Sequence, residues 1–326
     1  MLTKFLKNIK ESNDTGFSNQ VSKQGAKFYD KEGNLNVVKR GVAFGDKFSI
    51  YQELLTMSWW KFIVIVLVFY FLINTIFSLL YLSIGIHELG GIEITNNKFD
   101  MYLEAYFFSA QTFTTVGYGS VHPNSMKTNF IASIESLMGL FSFALGTGLL
   151  YGRVSKPVIK LVFSDNALMA PYKEERAFMF RFANIKDSFL SDVEAKIIFA
   201  LTINEKGTDL RRFFNVKLES SKINSLALSW TVVHHIDLES PLWNLTKEDL
   251  EKCDFEAVIS ISCFENTSSQ YVTKRYSYTH DEIFWGGKFD VIFNKAENSD
   301  FTEIHLDRLN EFKTVSLPDF NTIKTI

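Results

Sequence analysis

The chain has 326 residues, 46% of them apolar, and 34 Lys and Arg against 37 Asp and Glu for a net charge of −3. This near balance of charge carries no nucleic-acid signature, and the length allows two domains. Apolarity is not spread evenly but gathers in two long blocks, at 62–86 and 130–150.

Residues 1–45 are polar, and 31–41 (KEGNLNVVKRG) read as one short strand between glycine turns, within an N-terminal tail. Over 46–60 the pattern changes. Asp46 is a candidate helix N-cap, and Phe48, Tyr51, Leu55 and Trp59 fall near a helical stripe, so an amphipathic helix lying in a membrane interface is expected. Trp59 and Trp60 either close that helix or form the first turn of the next.

The first block offers 25 residues without a charged side chain, enough to cross a hydrocarbon core of roughly 30 Å. It lies too far from the N-terminus, and is too long, for a cleaved signal peptide. The second offers 21, interrupted only by Glu135. Ten Lys and Arg precede the first block within 1–61, whereas 87–129 carry only Lys98 and Lys127, and Arg153, Lys156 and Lys160 follow the second. The positive-inside rule therefore puts both termini in the cytoplasm. Cys253 and Cys263 are then expected to be free thiols in a reducing compartment.

Between the blocks, 100–113 (DMYLEAYFFSAQTF) are apolar, without Gly or Pro, and fit a re-entrant helix whose C-terminal end points a partial negative charge at a central cavity. Thr114-Thr115-Val116-Gly117-Tyr118-Gly119 come next. A TVGYG run can stack backbone carbonyls, with a threonine hydroxyl, around a dehydrated potassium ion. Neighbouring carbonyls point the same way only if alternate residues take left-handed angles, which Gly117 and Gly119 permit. One chain supplies one such strand and a carbonyl ring needs four, so a homotetramer is expected. From about residue 165 the sequence becomes alternating and β-rich, as at 177–182 (AFMFRF), 195–203 (AKIIFALTI), 226–233 and 255–264, the pattern of a sandwich. His234 and His235 lie on one of these strands without metal-ligand company. No nucleophile–base pair, phosphate loop or zinc signature is present in the sequence, so neither an enzyme nor a cofactor is expected, potassium being the permeant ligand.

Over roughly 30–318 the chain resembles the inward-rectifier potassium channel family, in its prokaryotic branch. The likeness rests on Phe44-Gly45-Asp46, on 105–123 (AYFFSAQTFTTVGYGSVHP), on the inner span 131–157, and on the blocks 180–184, 230–237, 240–242 and 277–285. It implies a tetrameric two-span α-helical pore joined to a cytoplasmic all-β immunoglobulin-like sandwich. The expected parts are an interfacial helix at 46–60 and a pore domain at 61–157. That domain divides into an outer helix at 62–86, a pore helix at 100–113, the filter at 114–119 and an inner helix at 129–152. The sandwich follows at 158–318 and a tail at 319–326.

The resemblance also implies roles. Thr115, Val116, Gly117 and Tyr118 would coordinate potassium, Gly119 would end the filter, and the Tyr118 ring would pack behind it. Gln111 stands where most members have glutamate, and Ser120 where many prokaryotic ones have aspartate. Glu135 either hydrogen-bonds behind the filter or lends negative potential to the cavity; Gly139 is either a hinge or a packing position, and Gly146 and Gly148 lie further down. Phe143 and Ser262 occupy positions that are acidic in strongly rectifying relatives, which implies weak rectification. Tyr151, with Leu150 or Thr147, would close the inner end as a hydrophobic gate, or sit as an ordinary interfacial aromatic. Lys47, Lys61, Arg153, Lys156 and Lys160 would bind anionic lipid head groups or simply set topology. A non-conducting membrane sensor or scaffold is the competing expectation.

Overall fold

The structure, a computed structural model, describes residues 29, 36, 40–41, 49–92, 97–157, 159–205, 208–295 and 302–318. The chain divides into two compact units, residues 40–156 and residues 1–39 with 157–326.

In the first unit run helices α1 (Ile50–Thr56), α2 (Trp59–Ile84), α3 (Lys98–Phe113) and α4 (Met126–Val154). The interfacial helix is shorter than the expected 46–60. Ser49 caps α1, its hydroxyl accepting from the Gln52 amide, while Asp46, Lys47 and Phe48 lie outside the described residues. Met57 and Ser58 are extended, with ψ of 161° and 150°, so the helix breaks and restarts. Trp59 and Trp60 therefore open α2 and do not close α1.

At 1.5 Å per residue, α2 and α4 reach about 39 and 44 Å, more than a bilayer core. Both are long and apolar enough to cross a membrane. Large apolar side chains such as Val68, Phe71 and Leu72 stand more than half exposed along α2, a surface suited to lipid. The opposite side of α2 packs through Phe77 and Tyr81 against Ala105 and Phe108 of α3. Ala105 is fully buried, and its small side chain lets the two helices close. On α4, Gly139 is buried, and a Cβ placed there would overlap the carbonyl oxygen of Phe113 at the end of α3. Gly139 is thus a packing position in this structure. Gly146 and Gly148 face open space within the single chain. Outside α4, strands β1 (Leu89–Gly90) and β2 (His122–Pro123) pair antiparallel, and Ser125 and Thr128 form a capping box that starts α4.

The second unit holds two five-stranded sheets. The strands are β3 (Leu161–Phe163), β4 (Ala167–Tyr172), β5 (Glu175–Asn184), β6 (Leu190–Glu205), β7 (Thr208–Asn215), β8 (Lys222–Ser225), β9 (Ser229–Ile236), β10 (Glu256–Glu265), β11 (Gln270–Thr279) and β12 (Ile283–Trp285). One sheet is ordered β12-β4-β5-β3 with β9 also on β5, and the other β11-β10-β6-β7 with β8 also on β6. Short helix α5 (Lys247–Lys252) precedes β10. The strand expected over 226–233 begins only at Ser229. Residues 31–41 lie mostly outside the described set; nearby Tyr29 is buried and its carbonyl accepts from the Ser277 hydroxyl.

Period-two alternation on β5 sends Phe178, Phe180 and Phe182 into the core between the sheets, beside Phe199 and Phe255. Arg181 points the other way, and its guanidinium donates to the carbonyls of Leu309 (2.5 Å) and Asp290 (2.5 Å) under the Phe289 ring. A buried cation is thereby satisfied while it ties the C-terminal segment to the sheet. Buried His234 bridges two elements, with Nδ1 2.6 Å from the Lys217 carbonyl and Nε2 2.8 Å from the Ser240 hydroxyl. The neutral ring with Nδ1 protonated serves both, donating to the carbonyl and accepting from the hydroxyl.

Gly139→Ala is expected to destabilise the assembled protein by about 1–3 kcal/mol through overpacking against α3; a thermal midpoint equal to wild type in detergent would remove the packing role. Burial holds His234 down at about 4 against its ordinary 6.5. The unfolded chain therefore takes up this proton first, and about 3 kcal/mol drains away as pH falls from about 6.5 to 4. Unfolding midpoints of wild type and His234→Gln should converge over that window, and parallel pH profiles would contradict it.

Candidate functional site

The last turn of α3 feeds directly into 114–119. The Gln111 carbonyl accepts from the amides of Val116 (3.0 Å) and Gly117 (3.2 Å), and the Thr112 carbonyl from Thr115 (3.0 Å). These bonds turn the chain back on its own helix end and start the non-helical segment at a fixed angle. Positive φ then recurs at every second residue, at Thr115 (60°), Gly117 (50°) and Gly119 (80°). Glycine adopts such angles freely. A β-branched threonine does not, so Thr115 holds backbone strain of the kind that persists at functional sites. Gly117 and Gly119 meet nothing within 4 Å where a Cβ would stand. Val116 and Tyr118 are 54% and 78% exposed in the single chain, so the Tyr118 ring has no packing against its own subunit's interior. At the far end, Gly91 (φ 83°) approaches so closely that a Cβ would overlap the Ser120 carbonyl.

Glu135 is fully buried. The Tyr81 hydroxyl donates to its Oε2 at 2.6 Å and the Ser109 hydroxyl donates to its Oε1. Ser109 also lies 3.1 Å from Asn74 Oδ1, and the Asn74 amide donates to the Tyr70 carbonyl at 2.7 Å. Glu135 is thus hydrogen-bonded to both α2 and α3. Gln111 takes part through its carbonyl, and its side-chain amide has no partner among the described residues. Asn74, Tyr81 and Ser109 were not singled out from the sequence. The signal was there: Asn74, Ser78 and Tyr81 make a polar i, i+4, i+7 stripe along a largely apolar span.

On α4, Phe143 and Tyr151 are 76% and 74% exposed, Leu150 is partly so, and the Thr147 hydroxyl donates back to the Phe143 carbonyl at 2.8 Å. Below them, Arg153 donates to the carbonyls of Leu54 and Met57, its guanidinium lying 4.7 Å from the Trp59 ring centre and 4.6 Å from that of Phe62. Lys156 donates to the Leu55 carbonyl at 3.1 Å. Both cations thus cap the free carbonyl end of α1. Gly152 lets α1 come close, since a Cβ there would stand 3.1 Å from Leu55 Cδ2. Lys61 and Lys160 are exposed, and Lys160 belongs to the other unit. Ser262, on β10, pairs its hydroxyl with Thr273 at 3.0 Å.

The family described as inward rectifier potassium channel C-terminal domain matches residues 161–325, and the family described as ion channel matches 65–155. The chain is 30% identical to inward rectifier potassium channel Kirbac3.1 of Paramagnetospirillum magnetotacticum over 266 residues, 81% of this chain and 88% of the relative. It is 26% identical to inward rectifier potassium channel 18 of Homo sapiens and 27% identical to ATP-sensitive inward rectifier potassium channel 12 of Rattus norvegicus. Each of these two matches covers 63% of this chain and about half of the animal protein. Two helices long and apolar enough to cross a membrane, a β-sandwich and these matches together identify the chain as a membrane protein of the inward-rectifier potassium channel family.

Proposed function

We propose that four copies of this chain surround one axis and pass potassium ions in single file, Thr115, Val116, Gly117 and Tyr118 supplying the oxygens and Gly119 ending the filter. The observation that carries this reading is the alternation of left-handed angles at Thr115, Gly117 and Gly119. An L-residue chain with that alternation turns successive carbonyls to one side, which a carbonyl cage requires. The 78% exposure of Tyr118 in one chain supports a ring packed against neighbouring subunits.

The same exposure on α4 supports a lining role for Phe143 and a closing role for Tyr151, with Leu150 and Thr147 beside it. Four aromatic rings converging there would exclude hydrated ions without any charge. Phe143 in the cavity and Ser262 in the sandwich offer no carboxylate to trap cytoplasmic cations, which supports weak rectification. The Lys and Arg distribution supports cytoplasmic termini in the cell membrane. Lys61 and Lys160 are exposed and suited to anionic head groups, whereas Arg153 and Lys156 are already engaged on α1. Lys47 lies outside the described residues. Movement of the sandwich and the interfacial helix would gate the pore.

Barium-blockable rubidium uptake into liposomes tests the reading; a protein sealed under every lipid and pH condition would favour a non-conducting sensor. Gly117→Asp should abolish that uptake with membrane insertion unchanged, and undiminished uptake would refute the filter assignment. Tyr151→Ala should raise open probability in single-channel records, whereas an unaltered closed dwell would remove this residue as the gate.

A further inference from the structure

Behind residues 114–119 lies a polar cluster that the filter does not directly include. Asn74 and Tyr81 of α2, Ser109 of α3 and Glu135 of α4 are each 0% exposed. A polar group at this depth costs free energy unless it is partnered, and here each is: Tyr81 to Glu135, Glu135 to Ser109, Ser109 beside Asn74, and Asn74 to the Tyr70 carbonyl. Tyr81 and Ser109 both donate to Glu135, so this one carboxylate ties α2 and α3 to α4.

Its placement fixes more than stability. Ser109 and Phe113 are one turn apart on α3, and Glu135 and Gly139 are one turn apart on α4. Ser109 meets Glu135 by hydrogen bond, and the Phe113 carbonyl sits against Gly139 with no room for a Cβ. Two contacts at matched i, i+4 spacing hold α3 against rotation about its own axis, since any rotation breaks both. That rotation sets where the Gln111 carbonyl points, and this carbonyl holds the amides of Val116 and Gly117. The Gln111 side chain, without a partner among the described residues, does not share the task.

We propose that Tyr81 and Ser109 are positioning residues for potassium selection, acting with Glu135 to hold α3 at the angle from which the filter is built. The proposal rests on reading 115–119 as that filter. A cage that distinguishes two alkali ions needs its oxygens held within about half an ångström. When α3 can turn, the cage relaxes toward the smaller ion.

The test uses full-length protein in planar bilayers, reading the potassium-over-sodium permeability ratio and the dwell time of barium block. Ser109→Ala is expected to conduct, with a permeability ratio lowered about tenfold, the factor that goes with one lost buried hydrogen bond, and with shorter barium dwells. Ser109→Thr, which keeps the hydroxyl, should recover most of the ratio. Tyr81→Phe, which removes a single oxygen from the other side of Glu135, should shift it in the same direction and decides the matter if Ser109→Ala does not fold. Variants that melt earlier yet select like wild type would make the cluster a structural brace and overturn the proposal. Wild type that fails to discriminate against sodium would instead overturn the filter reading itself.

Discussion

Backbone without helical hydrogen bonds is tolerated at membrane depth only where protein or water supplies its partners. Residues 114–119 are non-helical backbone between two helices long enough to cross a membrane, and the rest of this unit is arranged around how they are held. The end of α3 supplies carbonyls at Gln111 and Thr112 to the first amides of the segment. That end is in turn fixed against α4 at Gly139, and α4 against α2 through Glu135 and Tyr81. The long spans are therefore the outer members of a frame around six residues, and their apolar outer faces are what a lipid environment allows.

Within this frame, small and polar residues take roles that the apolar majority cannot. Ala105 brings α2 and α3 together, Gly139 admits a carbonyl, and Gly152 admits α1. In the sandwich the same economy is seen in reverse: a phenylalanine-rich interior supplies the cohesion, while Arg181 and His234 join elements by saturating backbone carbonyls. Both buried side chains keep their hydrogen-bonding groups partnered, which is the condition for placing them there.

Much of this was legible in the residues. The two spans follow from long blocks that are almost free of charge, and the left-handed angles at Gly117 and Gly119 from the absence of a Cβ. The same angle at Thr115 was not legible, because a β-branched residue disfavours it and the hydrogen bonds of this turn to Gln111 and Thr112 are not visible in the sequence. The start of α1 was misread because Ser49 and Asp46 are both good caps and local sequence does not rank them. Whether Gly139 bends or packs depends on a helix whose contact lies 26 residues earlier in the chain, at Phe113, and no periodicity in α4 reports that. The polar stripe at Asn74, Ser78 and Tyr81 was readable as a face turned inward, although its partners were not.

The shortness of α1 has a consequence of its own. Seven residues are too few to sustain a helix unaided in water, and its terminal carbonyls are closed by cations belonging to a part of the chain some hundred positions downstream. Its coil-to-helix balance is thus lent to it by the foot of α4. Whatever pulls that foot sideways also removes this support, so the ordering of two short turns of peptide and the position of the end of α4 are two readings of a single equilibrium.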